Sequence, residues 1–381
     1  MNSRPLPGFI SYAVIPLINL ALAALATGVA IWLLGEDPVQ ALQILVTGAI
    51  GDGDIVPHGY AIGYTLFYAT DFILTGLAFA LAMRVGQFNI GAEGQLAAGG
   101  IALATVVMAG SSLPPFILIP IAVLASAVGG ALWVAVPAVM YVKRQSHVVI
   151  TTIMMNFIAS AFSVYLIVHF FAPVGSGATE SANFVAGTNL PSFSLMLSWI
   201  GIIIDETPGN ISFFLALLLT WLVWLLLYRS RFGYKLRTIG SNPSAARYAG
   251  INISRVTIIT LLISGALSGV VAVNELLGFN HKLILGFAAG FGFGGIAVAM
   301  MGRLHPVGIV MTAMLFGGLV QGGAELSFQM PGIKREMVVA IQGFVIYLTT
   351  ATEHVFADRF ARAWFYLNRN RDGSNLTGES A

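Results

Sequence analysis

Long apolar runs, separated by short polar stretches, repeat along the whole chain. Windows of about 20 apolar residues, the length that crosses a bilayer as a helix, mark the predicted spans. They lie near 14–35, 61–83, 89–110, 114–141, 148–171, 209–228, 255–277, 283–302, 306–328 and 336–353. The pattern therefore predicts an all-α polytopic membrane protein with about ten transmembrane helices.

Basic residues are distributed unevenly between the two ends of these spans. With the N-terminus in the cytoplasm, 15 of the 18 Lys and Arg residues fall inside, whereas the loops 36–60 and 172–208 contain acidic residues and no Lys or Arg. The positive-inside rule then predicts that both termini are cytoplasmic. We expect a transmembrane domain at 1–357, with a basic cytoplasmic segment at 229–255, and a cytoplasmic tail at 358–381.

The composition supports a membrane protein and limits the kinds of chemistry that the chain can perform. Of the 381 residues, 57% are hydrophobic and 9% are charged, against about 25% charged in soluble domains. The net charge of +2 gives no indication of a nucleic-acid partner, and the absence of cysteine excludes disulfides and thiolate chemistry. The sequence contains no G-x-x-x-x-G-K-[ST], H-E-x-x-H or G-x-S-x-G motif. We therefore expect no catalytic residues, no metal site and no cofactor.

The polar segment Phe88–Gln95 interrupts an apolar region and contains Asn89, Glu93 and Gln95. Such groups are costly in hydrocarbon, so they are expected to line a protein interior or a wet cavity. In the alternative interpretation, Asn89 and Gln95 form hydrogen bonds between helices and only stabilise packing.

Four carboxyl groups fall within predicted spans, with no basic residue in the middle of the same span. They are Asp71, Glu93, Glu275 and Glu325. A proton relay is one interpretation of such groups. In the other, Asp71 and Glu275 lie near span ends, and Glu93 is the main candidate because it sits in the glycine-rich break.

A second polar and aromatic cluster comprises residues 279–281 and 287–296. Aromatic faces beside glycine backbone suit a base or sugar ring, although such residues also serve packing.

A weak internal similarity relates Leu74–Gly76 and Phe88-Asn89 to Ile263–Gly265 and Phe279-Asn280. It predicts an inverted repeat, or reflects chance in glycine-rich sequence. Glycine pairs four residues apart, at Gly265/Gly269, Gly286/Gly290 and Gly318/Gly322, predict close helix packing.

The basic segment contains a short predicted helix with marked ends. Asn242 is placed to cap it, Pro243 suits its first position and Gly250 suits a left-handed stop. A helix of about two turns is marginal alone, so it is expected to dock on a partner. The alternative is a helix on the lipid headgroups, held by Arg247 and Tyr248.

Three of these segments resemble the permease subunits of ABC importers, in the superfamily that serves branched-chain amino acids, ribose-type sugars and nucleosides. The similarity covers roughly residues 60–350. It rests on the run from Gly76 to Gln95, on the pattern from Arg237 to Ile251, and on the glycine-rich pattern from Gly286 to Pro306. The chain is most similar to the nucleoside and simple-sugar uptake branch. It departs from that pattern at Asp71, where an uncharged residue is usual.

The resemblance implies a bacterial inner-membrane permease with three partners: an ABC ATPase that binds the ATP, a second permease of a different sequence, and an extracytoplasmic solute-binding lipoprotein. It implies that the solute path contains Asn89, Glu93, Gln95, Asn280, Phe291 and Phe293. It also implies that the ATPase is coupled through Gly240, Asn242, Pro243, Ala245, Ala246, Arg247 and Gly250.

We therefore expect a permease subunit for a small polar solute, with nucleosides first. A pentose-type sugar permease is the nearest alternative, followed by a proton-coupled secondary transporter. From another class, an intramembrane lipid-processing enzyme would need a cluster of carboxylates or histidines at one interface, which the sequence does not suggest. A structural scaffold would leave the capped helix and the polar break unexplained.

Overall fold

The computed structural model describes residues 25, 27–33, 35–173, 175, 178–185, 187–287, 290–334, 337–340 and 343–344. Within them the chain is helical, with only two isolated antiparallel bridges, Glu180–Ile284 and Ser192–Asn210. The helices are α1 (Pro38–Ile50), α2 (His58–Met83), α3 (Ala92–Ala109), α4 (Pro115–Arg144), α5 (Val148–Leu166), α6 (Phe193–Ser198), α7 (Ser212–Arg229), α8 (Arg231–Ser241), α9 (Pro243–Tyr248), α10 (Ile253–Ala272), α11 (Phe291–Met301) and α12 (Pro306–Gln329). Two π-helical segments, Ile167–Phe171 and Val273–Asn280, extend α5 and α10.

Seven helices of the described residues are long and apolar enough to cross a membrane, namely α2, α3, α4, α5 with its extension, α7, α10 with its extension, and α12. They confirm seven of the predicted spans, including the proline-containing 114–141, which is one continuous helix. The predicted spans 14–35 and 336–353 lie largely outside the described residues, as does the tail 358–381.

The predicted span 283–302 is wrong as a single crossing helix. Its helical part, α11, has 11 residues. At about 1.5 Å per residue it is roughly 16 Å long, about half of a bilayer core. Residues 281–287 and 290 form an irregular segment before it, and Gly286 and Gly290 there have positive φ angles of 77° and 83°. These two glycines therefore allow the backbone conformation of this segment, and they do not pack helices against each other. A further helix, α1, lies in the stretch predicted as a loop.

Contacts divide the chain into two compact units. One comprises residues Met1–Leu45 and Gly323–Ala381, and the other Val46–Gly322. In the first, the buried cluster consists of Ile31, Ala41, Ile44, Leu45, Leu326, Met330, Ile333 and Val338. The second contains every candidate site described below.

Small residues form the contact where α3, α4 and α10 meet in the second unit. A Cβ atom on Gly130 would lie 2.2 Å from the carbonyl oxygen of Gly265, and one on Gly269 would lie 2.3 Å from that of Ser126. Ser126 also donates a hydrogen bond to the Gly269 carbonyl oxygen. These distances confirm the close packing predicted for Gly265 and Gly269. Because glycine has no side chain, the helix backbones can approach each other closely at these positions.

Candidate functional site

The polar break before α3 is closed by its own side chains. Asn89 and Gln95, each 1% exposed, form hydrogen bonds with each other, with the Gln95 amide nitrogen 3.0 Å from the Asn89 side-chain oxygen. Asn89 also donates to the Ser264 hydroxyl of α10 at 3.0 Å and accepts from the Gly91 N–H at 2.9 Å. This buried network stabilises the break and joins it to α10, because each amide that it buries has a partner.

Glu93 joins the beginnings of two helices. It lies in the first turn of α3, and its two carboxylate oxygens accept the N–H groups of Gly290 and Gly292, each at 2.9 Å. Gly290 is the N-cap residue of α11 and has no side chain to satisfy these N–H groups. The carboxylate therefore serves as the missing cap, where the positive ends of two helix dipoles converge.

A cavity of about 270 Å³ opens beside Glu93. Its wall combines one carboxylate, one amide, two hydroxyls and one aromatic ring with glycine, alanine, leucine and isoleucine residues. The lining residues are Glu93, Gly94, Ala97, Asn156, Ala159, Ser160, Ser163, Ile167, Leu283, Ile284, Leu285, Gly286, Phe287 and Gly290. A few polar groups on an otherwise apolar concave wall are typical of sites for small polar ligands.

Asn156 fixes the position of α5 against this cavity. Its side-chain oxygen accepts the Gly94 N–H at 2.9 Å, and its side-chain nitrogen donates to the Ile90 carbonyl oxygen at 3.0 Å. Asn156 is not among the residues predicted from the sequence, although a single asparagine within an apolar helix is a recognisable signal of a buried polar contact.

A second, more open groove of about 540 Å³ lies beside the π-helical end of α10. Tyr64, Gly278, Phe279 and His281 line it together with residues of α6 and of the segments on either side of that helix. These residues are Asn189, Leu190, Pro191, Ser192, Ser194, Leu195, Glu206, Thr207 and Pro208. Asn280, predicted to line the path, lies between two of these lining residues. Its side chain donates to the carbonyl oxygen of Glu275 at 2.9 Å and to its carboxylate at 3.1 Å.

The predicted path residues therefore fall in different places. Glu93 lines the cavity, Asn89 and Gln95 are buried beside it, and Asn280 borders the groove. Phe291 is buried against Tyr68 and Phe72. Phe293 is 53% exposed on α11. Their role in transport remains a prediction.

Asp71 belongs to a buried polar network that is centred on Asn274 and connects α2, the π-helical segment Val273–Asn280 and the start of α7. Its carboxylate accepts a hydrogen bond from Asn274 at 2.8 Å. The side-chain oxygen of Asn274 in turn accepts hydrogen bonds from Asn210 at 2.9 Å and from Ser212 at 2.6 Å. The second carboxylate oxygen of Asp71 is buried and has no hydrogen-bond partner among the described residues, and the Glu275 carboxyl is a neighbouring acidic group.

We expect Asp71→Asn to be tolerated and Asp71→Leu to destabilise the protein. The asparagine keeps an oxygen for Asn274 and places no charge in this buried site. Leucine leaves the buried Asn274 donor without this acceptor, at a cost of about 1–3 kcal/mol. Thermal unfolding of the purified chain in detergent, followed by size-exclusion chromatography, measures the difference. Equal unfolding temperatures for the leucine and asparagine variants would contradict the assignment.

The predicted capped helix is present as α9. The side chain of Asn242 accepts the N–H of Ala245 at 3.1 Å, Pro243 occupies the first turn, and Gly250 has a φ angle of 72°. Ala245 and Arg247 are exposed and Tyr248 is 95% exposed, whereas Ala246 is buried in its own chain. Of the two alanines, only Ala245 is therefore positioned to contact a partner.

Arg84, at the end of α2, connects the segment that carries α9 to α7 and to the turn between α11 and α12. A Cβ atom on Gly240 would lie 2.3 Å from the Arg84 carbonyl oxygen. The Arg84 guanidinium donates to the Leu304 carbonyl oxygen at 2.8 Å and to the Tyr228 hydroxyl at 3.3 Å. The Tyr228 ring lies 5.5 Å from that of His305, whose pKa is lowered by burial and by the charge of Arg84. The ends of α2 and α7 thus contact the turn between α11 and α12, and the end of α8 packs against the backbone of Arg84.

Comparison with known proteins is consistent with this architecture. A family model described as "Branched-chain amino acid transport system / permease component" matches residues 61–350. The guanosine ABC transporter permease protein NupP of Bacillus subtilis is 32% identical over 92% of this chain and 96% of its own length. The nucleoside ABC transporter permease protein NupB of Lactococcus lactis is 29% identical, with 87% and 89% covered. The glucose ABC transporter permease protein TsgB13 of Haloferax volcanii is 29% identical, with 99% and 97% covered. The chain therefore belongs to the family of branched-chain amino acid transport system permease components and is a multi-pass membrane permease subunit of the ABC transporter type.

Proposed function

We propose that this permease carries nucleosides into the cell. The observation that carries the proposal is the cavity beside Glu93, where an amide, a carboxylate and two hydroxyls occur with the Phe287 ring. Ribose hydroxyls suit the polar groups and a base suits the ring. The guanosine and nucleoside permeases among its relatives support the same solute class.

A simple sugar is the second candidate, because the similarity to the glucose permease extends over 99% of this chain. Sugars also suit the amide, carboxylate and hydroxyl groups of the cavity. They lack a π-system, however, so they gain less than a base from aromatic rings along the path.

We also propose the surroundings in which the chain works. A separate ATPase binds ATP and contacts α9, a second permease of different sequence completes the path, and an extracytoplasmic lipoprotein delivers the solute. The complex lies in the inner membrane of a bacterium with both termini of this chain in the cytoplasm. The exposed surface of α9 and the contacts of Arg84 support this arrangement, because they connect a potential docking surface to the turn before α12.

Deletion of the gene is expected to abolish high-affinity uptake of radiolabelled uridine and adenosine, and a plasmid copy is expected to restore it. Excess unlabelled nucleoside competes in the complemented strain, whereas excess ribose or glucose does not. The strain is first cleared of other nucleoside uptake systems. Unchanged nucleoside uptake after deletion, together with lost sugar uptake, would reject the nucleoside proposal in favour of the sugar permease.

A further inference from the structure

Three tyrosines follow one face of α2 at intervals of four residues. The ring centroids of Tyr60 and Tyr64 are 4.7 Å apart, and those of Tyr64 and Tyr68 are 6.2 Å apart. Residues four apart share a helix face, so these rings form a row along the helix. All three are half-buried, so part of each side chain remains accessible.

The row continues from the groove to the beginning of α11. The Tyr64 ring lies 6.4 Å from Phe279, and both residues line the groove. The Tyr68 ring lies 6.2 Å from Phe291. The residue before Phe291 is Gly290, which lines the cavity and binds Glu93. Aromatic rings therefore connect the groove to the edge of the cavity.

Exposure separates these rings from ordinary packing aromatics. Phe67, Phe72 and Phe291 are almost fully buried, whereas Phe279 is 43% exposed. The accessible rings do not face a purely apolar surface, because the groove that contains Tyr64 and Phe279 also contains serine, threonine, asparagine and glutamate side chains. A polar groove with accessible aromatic rings suits a planar solute that also needs hydrogen bonds.

We propose that Tyr60, Tyr64, Tyr68 and Phe279 form a stacking track for the base of a nucleoside, which passes the groove and leads toward the cavity. The inference rests on the proposed nucleoside function and names the chemical group that its path recognises. Stacking on successive rings tolerates every base, because each base has a π-face. Several weak sites in a row also let a solute move on, as transport requires.

The test measures uptake of radiolabelled adenosine and uridine in complemented cells, corrected for the amount of permease in the membrane fraction. Tyr64→Leu and Phe279→Leu remove the ring but keep an apolar side chain. They are expected to raise the apparent KM about fivefold or more, with the larger effect on adenosine. Tyr64→Phe and Phe279→Tyr keep a ring and are expected to remain close to the wild type. Tyr165→Leu is the matched control, since Tyr165 is 51% exposed on α5 and its ring contacts His169 and Phe170, which are not part of the track.

The outcomes distinguish this inference from the function on which it rests. If the wild-type chain restores no nucleoside uptake, the proposed function fails and the stacking track fails with it. If the wild type transports nucleosides but the leucine variants match the aromatic variants, only the stacking track is overturned. If Tyr64→Leu does not accumulate in the membrane, the comparison of Phe279→Leu with Phe279→Tyr decides the test. The Phe279 ring is partly exposed, so its removal affects folding less.

Discussion

Replacing Glu93 by glutamine is expected to lower nucleoside uptake roughly tenfold, because one of two backbone N–H groups loses its acceptor. The carboxylate accepts from both Gly290 and Gly292 at the start of α11. A glutamine side chain offers one oxygen and turns an NH2 group toward the other N–H. The change also removes the negative charge from the positive ends of two helices. Initial uptake rates per inserted permease measure the effect.

The matched control is Glu180→Gln, which removes the same charge elsewhere. Glu180 forms a partly exposed ion pair with Lys282 at 2.8 Å. Such pairs contribute about 0–1 kcal/mol, so uptake should remain near the wild-type rate. Wild-type uptake by Glu93→Gln would show that the carboxylate is needed neither for the solute nor for the position of α11.

The second large effect is expected at α9. Tyr248→Ala should reduce uptake by about tenfold or more while leaving the stability of the chain unchanged. The side chain is 95% exposed, and exposed substitutions usually change stability by no more than about 0.5 kcal/mol. A tyrosine at the centre of an interface, in contrast, often contributes about 2 kcal/mol or more to binding. Uptake and the amount of ATPase that co-purifies with the permease are the two measurements.

Tyr234→Ala provides the comparison for Tyr248→Ala, because Tyr234 is 60% exposed on the neighbouring helix α8. We expect it to retain both uptake and the bound ATPase. Normal ATPase binding by Tyr248→Ala would contradict a docking role for α9. If Tyr248→Ala instead lowers membrane insertion and leaves ATPase binding unchanged, the result would favour the interpretation that α9 lies on the lipid headgroups.

The sequence was sufficient to predict the helical membrane architecture and most of the long helices, because about 20 consecutive apolar residues suit few other structures. The ends of α9 were also predictable. Asn242, Pro243 and Gly250 act on backbone groups within a few residues of themselves, so their effect is local.

The tertiary structure decided which polar residues meet. Glu93 and Gly290 are separated by 197 residues, and Asp71 and Asn274 by 203. No local pattern specifies such pairs, since they depend on how separate helices pack. For the same reason, apolar composition predicted a crossing helix at 283–302, whereas the structure has a short α11 preceded by an irregular segment. The residue types that could form a polar site were thus evident from the sequence, but helix packing determined that Asn89 binds Ser264 of α10 while Glu93 faces the cavity.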